Sequence, residues 1–377
     1  MNRAAEPIDA VYLWVDGCDP AFQGELKRHL PSMGSDIQAT AADPERFRDS
    51  GELRHSLRSL AVFAPWVRKI HIVTNGQVPD WLDLNHSRIA LVSHEQIFAD
   101  WSCLPTFNSH AIELQLHRVP GLARRFLYLN DDCFFGRAVR PEDYLVPGGG
   151  QHLYFEPNPI TDRFAGGPLH DRAYLHTVGI LDRKWPKNPA YYSSGAYGRR
   201  IRDRLLGRKP SWRMLPAHMP QLYDREILAR LEDLFFEEVQ LTSRRKFRSA
   251  RDLVPRLAYF YYLLESGEYG PELAIHALPW GSEEYIFVML HPAVNIQFDP
   301  FSAIRRLRPL FFCLNDDLGA VDPDHPVLNH LRFFLAEFFP NPSPFEKTGR
   351  FSSATNHALI PEITNGLKPE RLTGGNS

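Results

Sequence analysis

Three clusters of polar residues follow apolar, strand-like runs in the first third of the sequence. They are Asp16-Gly17, Asn75-Gly76 and Asn130-Asp131-Asp132. Adjacent carboxylates repel each other, and a divalent cation would relieve that repulsion while holding the diphosphate of a ligand. Asp-Gly and Asn-Gly are also ordinary turn formers, and for Asn75-Gly76 the two interpretations are equally good. The acid pair therefore indicates phosphate chemistry of the kind that nucleotide sugars undergo.

A second Asn-Asp-Asp triplet ends another strand-like run in the last third of the chain. The sequence PLFFCLNDD at 309–317 repeats the pattern of YLNDD at 128–132. Five matching residues do not establish a duplication. Two acid-tipped strands nevertheless fit a single metal or phosphate site.

A histidine and a group of basic residues flank the helical patterns of the second half. His218 precedes the first of these helices, and Arg244, Arg245, Lys246 and Arg248 lie between two of them. Such residues are most often caps or solvated surface groups. Close to an acid-rich pocket, they would supply a proton acceptor and a phosphate clamp.

The elements that must position these residues alternate between strand and helix. Strands are predicted at 8–15, 69–74, 88–93 and 125–129, a helix at 52–64, and a second helix within AIELQLHRV after Asn108-Ser109. This alternation predicts an α/β fold with a Rossmann-like, mainly parallel sheet. Ligands of open α/β sheets bind beyond the carboxyl ends of the strands, where the polar clusters fall.

The second half of the chain is predicted to be mainly helical. Helices are predicted at 224–236, 252–265 and 330–340, and a strand at 309–317. Residues 137–215 are rich in Pro, Gly, Tyr and Arg, which indicates an insertion or lid rather than a sheet. Its basic stretch at 183–209 is typical of a solvated surface or of a site for an anionic acceptor or membrane. The chain is therefore predicted to comprise a nucleotide-sugar-binding α/β part at 1–136, an insertion or lid at 137–215, a helical part at 216–350 and a flexible tail at 351–377.

Composition excludes several classes of protein. Of 377 residues, 43 are Lys or Arg and 45 are Asp or Glu, so the net charge of −2 offers no field that would attract nucleic acid. The four cysteines are scattered without a CxxC, which favours reduced thiols over a zinc ribbon or a disulfide scaffold. The first residues lack the apolar run of a signal peptide, and no run approaches 18 apolar residues. A cytoplasmic protein, peripheral on the inner membrane face at most, is expected.

Four blocks of the sequence resemble the Stealth family, which includes bacterial capsular polysaccharide phosphotransferases and the animal N-acetylglucosamine-1-phosphotransferase. The blocks are IDAVYLWVDG at 8–17, residues 46–82 continuing through 104–136, residues 218–252, and FFCLNDDLG at 311–319 with 338–347. They occur in the family's order. Residues 137–215 match no block, and we assign acceptor choice to them. The large inserted modules of the animal enzyme are missing, so recognition of lysosomal enzymes is not implied.

The resemblance implies a GT-A-like fold and a specific reaction. A sugar 1-phosphate would pass from a UDP-sugar to a hydroxyl of a glycan acceptor, leaving a phosphodiester and UMP, with Mg²⁺ or Mn²⁺ as the expected ion. Asp132, His218 and Arg248 would be catalytic, with either Asp132 or His218 as the base, and Asp131 and Asp132 would hold the metal. The implied donor pocket comprises Asp16, Gly17, Arg48, Glu52, Asn75, Asn130, Asn315 and Asp316.

Two other functions compete with this one. An ordinary glycosyltransferase would break the anomeric bond and release UDP instead of UMP. A catalytically silent sugar-binding module would be expected to lose acids or the histidine, yet every one of them is present.

Overall fold

The computed structural model of the chain describes residues 6–32, 39–185, 213–279, 281–292 and 299–347. Within these ranges the strands are β1 Ile8–Leu13, β2 Ile70–Thr74, β3 Ile89–Ser93, β4 Arg125–Asn130, β5 Cys133–Phe135, β6 Leu145–Val146, β7 Gly150–Pro159, β8 Met214–Pro216, β9 Gln221–Asp224, β10 Leu273–Ala277, β11 Tyr285–Leu290 and β12 Phe311–Asp316. The α-helices are α1 Pro20–His29, α2 Glu52–Phe63, α3 His94–Ile97, α4 Ser109–Glu113, α5 Leu169–Lys184, α6 Arg225–Leu234, α7 Phe236–Arg244, α8 Pro255–Glu265, α9 Ser302–Leu307 and α10 Pro326–Phe338.

The main sheet has the strand order β3-β2-β1-β4-β9. Strands β1 to β4 run parallel to one another, and β9 is antiparallel to β4. The predicted α/β fold with a mainly parallel, Rossmann-like sheet is therefore confirmed. Because the four parallel strands end at the same edge, the loops that follow them are brought together.

Both faces of this sheet are covered, which explains why its strands are nearly continuous apolar runs. On β1, Ala10 and Tyr12 face the cluster that contains Leu57 of α2. Val11 points the other way, into the cluster that contains Leu228 of α6. The alternation follows from the period of two along a strand. Helix α2 begins at Glu52 as the sequence predicts, after Gly51 in the left-handed region with φ of 101°.

Two smaller sheets flank the main one. The first has the order β10-β7-β6, with β8 also paired to β7, and the second has the order β11-β12-β5. The expectation that 137–215 contains no sheet is wrong, because β7 spans ten residues of it. The sequence pattern does not reveal this strand, because its partners β8 and β10 lie far along the chain. Its polar residues also form hydrogen bonds inside the protein; Gln151, for example, donates to the Tyr259 hydroxyl at 2.9 Å.

Other predicted segments meet the structure only in part. The helix predicted at 224–236 ends at Leu234, and α7 then begins at Phe236. Residues 186–212, which carry most of the basic stretch, and the tail at 351–377 lie outside the described residues. Among the helices of the described ranges, none has the length and apolar character needed to cross a membrane.

Candidate active site at the carboxyl edge of the main sheet

The loops after β1 and β2 are tied together at the carboxyl edge. The Asp16 backbone N–H donates to Gln77 Oε1 at 2.9 Å, and Gln77 Nε2 donates back to the Asp16 carbonyl at 2.9 Å. Gly17 is needed because a Cβ there would lie 2.3 Å from the Phe47 carbonyl oxygen. Asn75 lies exposed at the end of β2. These predicted donor-pocket residues thus share one edge.

The two Asn-Asp-Asp triplets lie side by side. Strand β5 begins directly after Asp132 and pairs antiparallel with β12, placing Cys133 opposite Cys313. The Leu314 N–H donates to the Asp132 carbonyl at 3.0 Å. The triplet containing Asn315 and Asp316 is therefore brought next to the triplet after β4, as expected for one shared site.

Asp316 is held by a cation from the loop before α2. Arg48 Nη1 lies 2.5 Å from Asp316 Oδ2, and Arg48 Nη2 donates to the Gly319 carbonyl. Burial raises the pKa of Asp316 more than Arg48 lowers it. Arg48 therefore links the end of β12 to the carboxyl edge of the main sheet, where the donor pocket is predicted.

Asp132 and His218 form a charged pair at the centre of the edge. Asp132 Oδ1 lies 3.6 Å from His218 Nε2, and the two side chains are 18% and 24% exposed. Burial tends to raise the pKa of Asp132, but the charge of His218 and hydrogen bonds from His218 and two thiols outweigh it, so the pKa is lowered. Burial tends to lower the pKa of His218, and the Asp132 carboxylate reverses this and raises it to about 10.

A neutral His218 imidazole near pH 7 would suit a general base, but the raised pKa of His218 favours the imidazolium instead. The carboxylate beside the ring favours the imidazolium. Nε2 also lies 3.1 Å from Asn130 Nδ2, so an imidazolium facing Asp132 requires the Asn130 amide to present its oxygen. Asp132 and His218 therefore act as a carboxylate–imidazolium pair, and which of them accepts a proton from substrate stays a prediction.

The loop that carries His218 is fixed from three sides. Pro216 of β8 pairs with Phe155 of β7, and the Ala217 N–H donates to the Tyr154 carbonyl at 2.9 Å. The Tyr285 hydroxyl donates to the His218 carbonyl at 3.3 Å. The overlooked strand β7 is thus what positions the predicted catalytic histidine.

Acidic side chains gather on the other side of the edge. Burial, Asp132 and Asp49 together raise the pKa of Asp131 well above its ordinary value. Burial, Asp49 and Asp131 do the same for Glu52, which is 6% exposed. The Trp14 Nε1–H donates to Asp49 Oδ2 at 2.7 Å. Asp131 therefore faces Asp49 and Glu52, whereas Asp132 faces His218.

Arg248 lies at the start of α4, close to other cations. Its Nε and Nη2 both donate to Ser109 Oγ, at 2.9 and 2.5 Å. Burial and the charge of Arg248 lower the pKa of Arg46 to about 10, which leaves Arg46 cationic at neutral pH. Partial burial and the charges of Arg248 and Arg46 lower the pKa of the half-exposed His170 to about 4, and His218 contributes to this. His170 at the start of α5 is thus within electrostatic range of the arginines and of the Asp132–His218 pair.

The loop that presents Arg248 is ordered by a buried acid. Asp252 accepts from the Ser249 N–H at 2.9 Å, from Asn108 Nδ2 at 2.9 Å and from Arg245 Nη1 at 3.3 Å. Within the basic cluster predicted between two helices, Arg245, Lys246 and Arg248 are therefore partly buried and docked near the residues before α4, whereas Arg244 is exposed.

Four side chains of the edge form the group that best suits a metal ion among the described residues. The ligand atoms of Asp132, Cys133, His218 and Cys313 all lie within 4.8 Å of one another. Two thiols and an imidazole do not suit Mg²⁺, which prefers oxygen ligands. Asp131 is not part of the group, so the pair of acids predicted to hold one ion is divided between two environments.

The sequence analysis missed several residues of the site. Cys133 and Cys313 were read as scattered thiols, although CFF at 133–135 and FFC at 311–313 mirror each other as antiparallel partners would. Arg46 and His170 gave no pattern of their own, since each is a single polar residue in an irregular segment. Only the tertiary fold brings them to the edge.

Sequence profiles of the Stealth protein family match four parts of the chain. They are conserved region 1 at residues 6–33, conserved region 2 at 46–153, conserved region 3 at 217–265 and conserved region 4 at 302–357. The second profile continues to residue 153, so the start of 137–215 does match a family block, contrary to the sequence analysis.

Curated relatives match nearly the whole chain. The exopolysaccharide phosphotransferase SCO2592 of Streptomyces coelicolor is 33% identical over 347 residues, which cover 90% of this chain and 33% of the relative. SCO6021 of the same organism is 36% identical, covering 91% and 57%. The exopolysaccharide phosphotransferase CpsY of Mycobacterium leprae is 32% identical, covering 90% and 57%. The chain thus spans between a third and three-fifths of these relatives.

Solved structures show a weaker likeness. The galactosyltransferase LgtC, in complex with donor and acceptor sugar analogues, matches with a TM-score of 0.36 and 9% identity, over 89% of this chain and 96% of that one. Mouse xyloside xylosyltransferase 1 matches with a TM-score of 0.33 and 10% identity, over 81% and 97%. The fold assignment rests on the sheet topology itself.

Proposed function

Because this chain belongs to the Stealth protein family, we propose that it transfers a sugar 1-phosphate from a UDP-sugar to a hydroxyl group of a glycan acceptor. The product is a phosphodiester, the leaving group is UMP, and the sugar is a hexose or an N-acetylhexosamine. The observation that carries the proposal is the Asp132–His218 pair at the carboxyl edge, within electrostatic range of His170, which in turn interacts with the cationic group formed by Arg46 and Arg248. The names of the relatives support a role in exopolysaccharide or capsule synthesis.

Donor binding would use both sides of the edge. Arg46 and Arg248 are the cations that would receive the diphosphate, because guanidinium groups present parallel donors to phosphate oxygens. Asp16, Gly17 and Asn75 at the ends of β1 and β2 would contact the nucleotide or sugar. Further donor contacts would come from Asn130, Asn315, Asp316, Glu52 and Arg48, the last of which also fixes the position of Asp316.

The chemical step would form a bond between the acceptor oxygen and the β-phosphorus of the donor. The bond from that phosphorus to the oxygen bridging it to UMP breaks, and the bond between the anomeric carbon and its oxygen survives. The Asp132 carboxylate takes the proton of the acceptor hydroxyl, while the His218 imidazolium stabilises that carboxylate and the charged phosphoryl group. Holding the hydroxyl in line with the leaving group supplies the rest of the acceleration.

Asp131 is the strand-end acid outside the sulfur-containing group, so it suits a hard cation. Mg²⁺ in phosphoryl-transfer sites is commonly bound by one or two carboxylates together with substrate phosphates. Mg²⁺ or Mn²⁺ held by Asp131 and the donor diphosphate would neutralise charge on the transferred group. Burial and the charges of Asp132 and Asp49 raise the pKa of Asp131, and a cation bound there would offset both effects.

The acceptor would approach from the side of residues 137–215. His170, at the start of α5 in that segment, already faces the cationic group. The acceptor class that the relatives' names favour is a growing exopolysaccharide, and peripheral association with the inner face of the membrane stays a prediction from the sequence.

The test is the identity of the nucleotide product. The purified chain is incubated with a panel of UDP-sugars, Mg²⁺ or Mn²⁺ and short glycan acceptors, and the nucleotides are resolved by chromatography. UMP together with an acceptor that gains phosphorus is the expected result. Asp132→Asn should remove it, and Asp233→Asn, an exposed acid on α6, is the matched control that should not. UDP with no phosphorus in the product would mean anomeric-bond cleavage and would overturn the proposal.

A further inference from the structure

The group of four side chains around Asp132 has the composition of a transition-metal site. Asp132 Oδ1 lies 3.6 Å from both His218 Nε2 and Cys133 Sγ, and Asp132 Oδ2 lies 3.3 Å from Cys313 Sγ. A tetrahedron whose metal–ligand bonds measure about 2.0–2.3 Å has edges of about 3.3–3.8 Å. The three separations measured from the two carboxylate oxygens fall in this range, and one ligand atom from each of the four residues lies within 4.8 Å of the others, so small side-chain shifts would complete the tetrahedron.

The ligand atoms of this group favour Zn²⁺ over Mg²⁺ and Mn²⁺. Two thiolates, one imidazole and one carboxylate are ligands that Zn²⁺ accepts, and soft sulfur disfavours Mg²⁺ and Mn²⁺. Cys133 and Cys313 are 1% and 0% exposed, whereas Asp132 and His218 are partly exposed. The sulfur atoms thus form the closed floor of the site, and the ion would enter from the side of Asp132 and His218.

The position of the cysteines is fixed by the backbone. Cys133 and Cys313 are directly opposite each other on the antiparallel strands β5 and β12, so their side chains share one face. Asp132 immediately precedes β5, and the His218 loop is anchored to β7. Three separate elements therefore deliver the four ligands without the need for rearrangement of the backbone.

We propose that Asp132, Cys133, His218 and Cys313 form a Zn²⁺-binding site that blocks the catalytic edge when it is occupied. Four protein ligands complete a tetrahedral coordination shell and leave no position for substrate, unlike a catalytic zinc site with its open position. Binding releases the protons of the two thiols and the Nε2 proton of the His218 imidazolium, and it engages both members of the Asp132–His218 pair. The inhibitory consequence depends on the proposed function, whereas zinc binding does not.

The binding test uses the full chain, freed of metal by chelation and kept reduced without oxygen. Zn²⁺ is titrated calorimetrically, and Co²⁺ is added as a spectroscopic probe because thiolate ligands give it an intense charge-transfer absorption. We expect one ion per chain and a charge-transfer band for the wild type. A wild-type chain with neither a stoichiometric ion nor the band overturns the proposal, and this outcome depends on no variant.

Variants identify the ligands. Cys133→Ala/Cys313→Ala should lose the band and bind Zn²⁺ more than about 100-fold more weakly, since both thiolate ligands are gone. Cys103→Ala removes another buried thiol and Cys18→Ser an exposed one, and both should keep wild-type binding. Equal affinity in the wild type and the double variant would contradict the assignment. If the double variant does not fold, X-ray absorption of the wild-type zinc complex decides instead, with two sulfur ligands expected and none contradicting it.

The inhibition test is separate. Once UMP release has been measured, equimolar Zn²⁺ should abolish it and chelation should restore it. Zinc that binds through both sulfurs without slowing UMP release would remove the inhibitory role while leaving the site itself established. Absence of UMP release would contradict the proposed function and leave the binding result standing.

Discussion

Two buried acids at helix α2 have opposite environments: Glu346 is paired with arginines along the helix, and Glu52 lies close to other acids at its start. Along its length, Arg58 donates to both oxygens of Glu346 at 2.7 and 2.9 Å, and Arg54 adds a contact of 2.6 Å. Burial alone would raise the pKa of Glu346, but Arg58, the Ser343 N–H and Arg54 outweigh it and lower the pKa to about 2. At the start of the same helix, the pKa of Glu52 is raised by burial and by two other acids.

The contrast separates charges that stabilise the fold from charges that suit a ligand. Glu346 is 3% exposed at its side chain and is paired with arginines, so the protein itself completes its environment. Glu52 and Asp131 are close to like charges, and their ionised forms gain stability when a cation arrives. Substituting an acid that is paired with arginines should therefore lower the free energy of unfolding, whereas substituting an acid close to like charges should change donor binding or turnover.

Asp132→Asn should produce the largest effect, on activity. The amide keeps the size of the side chain but neither accepts a proton nor carries the charge facing His218, so UMP release should fall on the order of 10³-fold or more. The variant should still fold, with a modest loss of stability because the shifted pKa values of Asp132 and His218 mean that the pair stabilises the fold, so UMP release is compared per folded molecule. Turnover within tenfold of the wild type would remove Asp132 from the chemical step.

Glu346→Gln should produce the next largest effect, on stability. Losing the carboxylate leaves Arg58 buried without its counter-charge, which costs about 3 kcal/mol. Denaturant unfolding measures this loss, and UMP release per folded molecule should be unchanged. Glu337→Gln, at the exposed ion pair with Arg305, is the control and should cost less than about 1 kcal/mol.

The effect of Glu346→Gln on the free energy of unfolding should depend on pH. Because the folded pKa of Glu346 lies near 2 and below its ordinary value of 4.5, its contribution is fully present above about pH 4.5 and is lost as the pH falls towards 2. The stability difference between wild type and Glu346→Gln should therefore shrink between pH 5 and pH 3. A difference that stays constant over this range would contradict the ion-pair explanation.

Arg248→Lys should give a smaller loss of activity. A lysine keeps the charge but lacks the planar fork, and one charge-assisted hydrogen bond is worth about 1.5–3 kcal/mol, or at least about tenfold in kcat/KM for the donor. Arg244→Lys, an exposed neighbour in the same basic run, should behave as the wild type. Wild-type donor KM and turnover in Arg248→Lys would show that Arg248 serves the packing against Ser109 and not the diphosphate.

The fold was predictable where periodicity is local. Strands β1 to β4 are apolar runs and helix α2 has helical apolar spacing, so the parallel α/β sheet and the polar loops at its carboxyl edge could be inferred from sequence. Strand β7 could not, because its stability comes from pairing with distant β8 and β10. The approach of Cys133 to Cys313 and of His170 to Arg248 is likewise a property of tertiary packing, and the charge state of His218 depends on the carboxylate that packing brings beside it.

Glu52→Gln should have the smallest effect and the opposite sign to Glu346→Gln. With its pKa raised by burial and by Asp49, ionised Glu52 destabilises the fold near neutral pH, and a neutral amide still accepts from the Ser50 N–H. We expect a higher free energy of unfolding at pH 7.5, measured by denaturant unfolding, together with a raised donor KM. Glu237→Gln, an exposed acid in the first turn of α7, should instead lose a few tenths of a kcal/mol through the helix dipole. If Glu52→Gln lost as much stability as Glu346→Gln, then Glu52 and Glu346 would both be structural charges. A carboxylate that already stabilises the ligand-free protein does not need a bound cation to complete its environment.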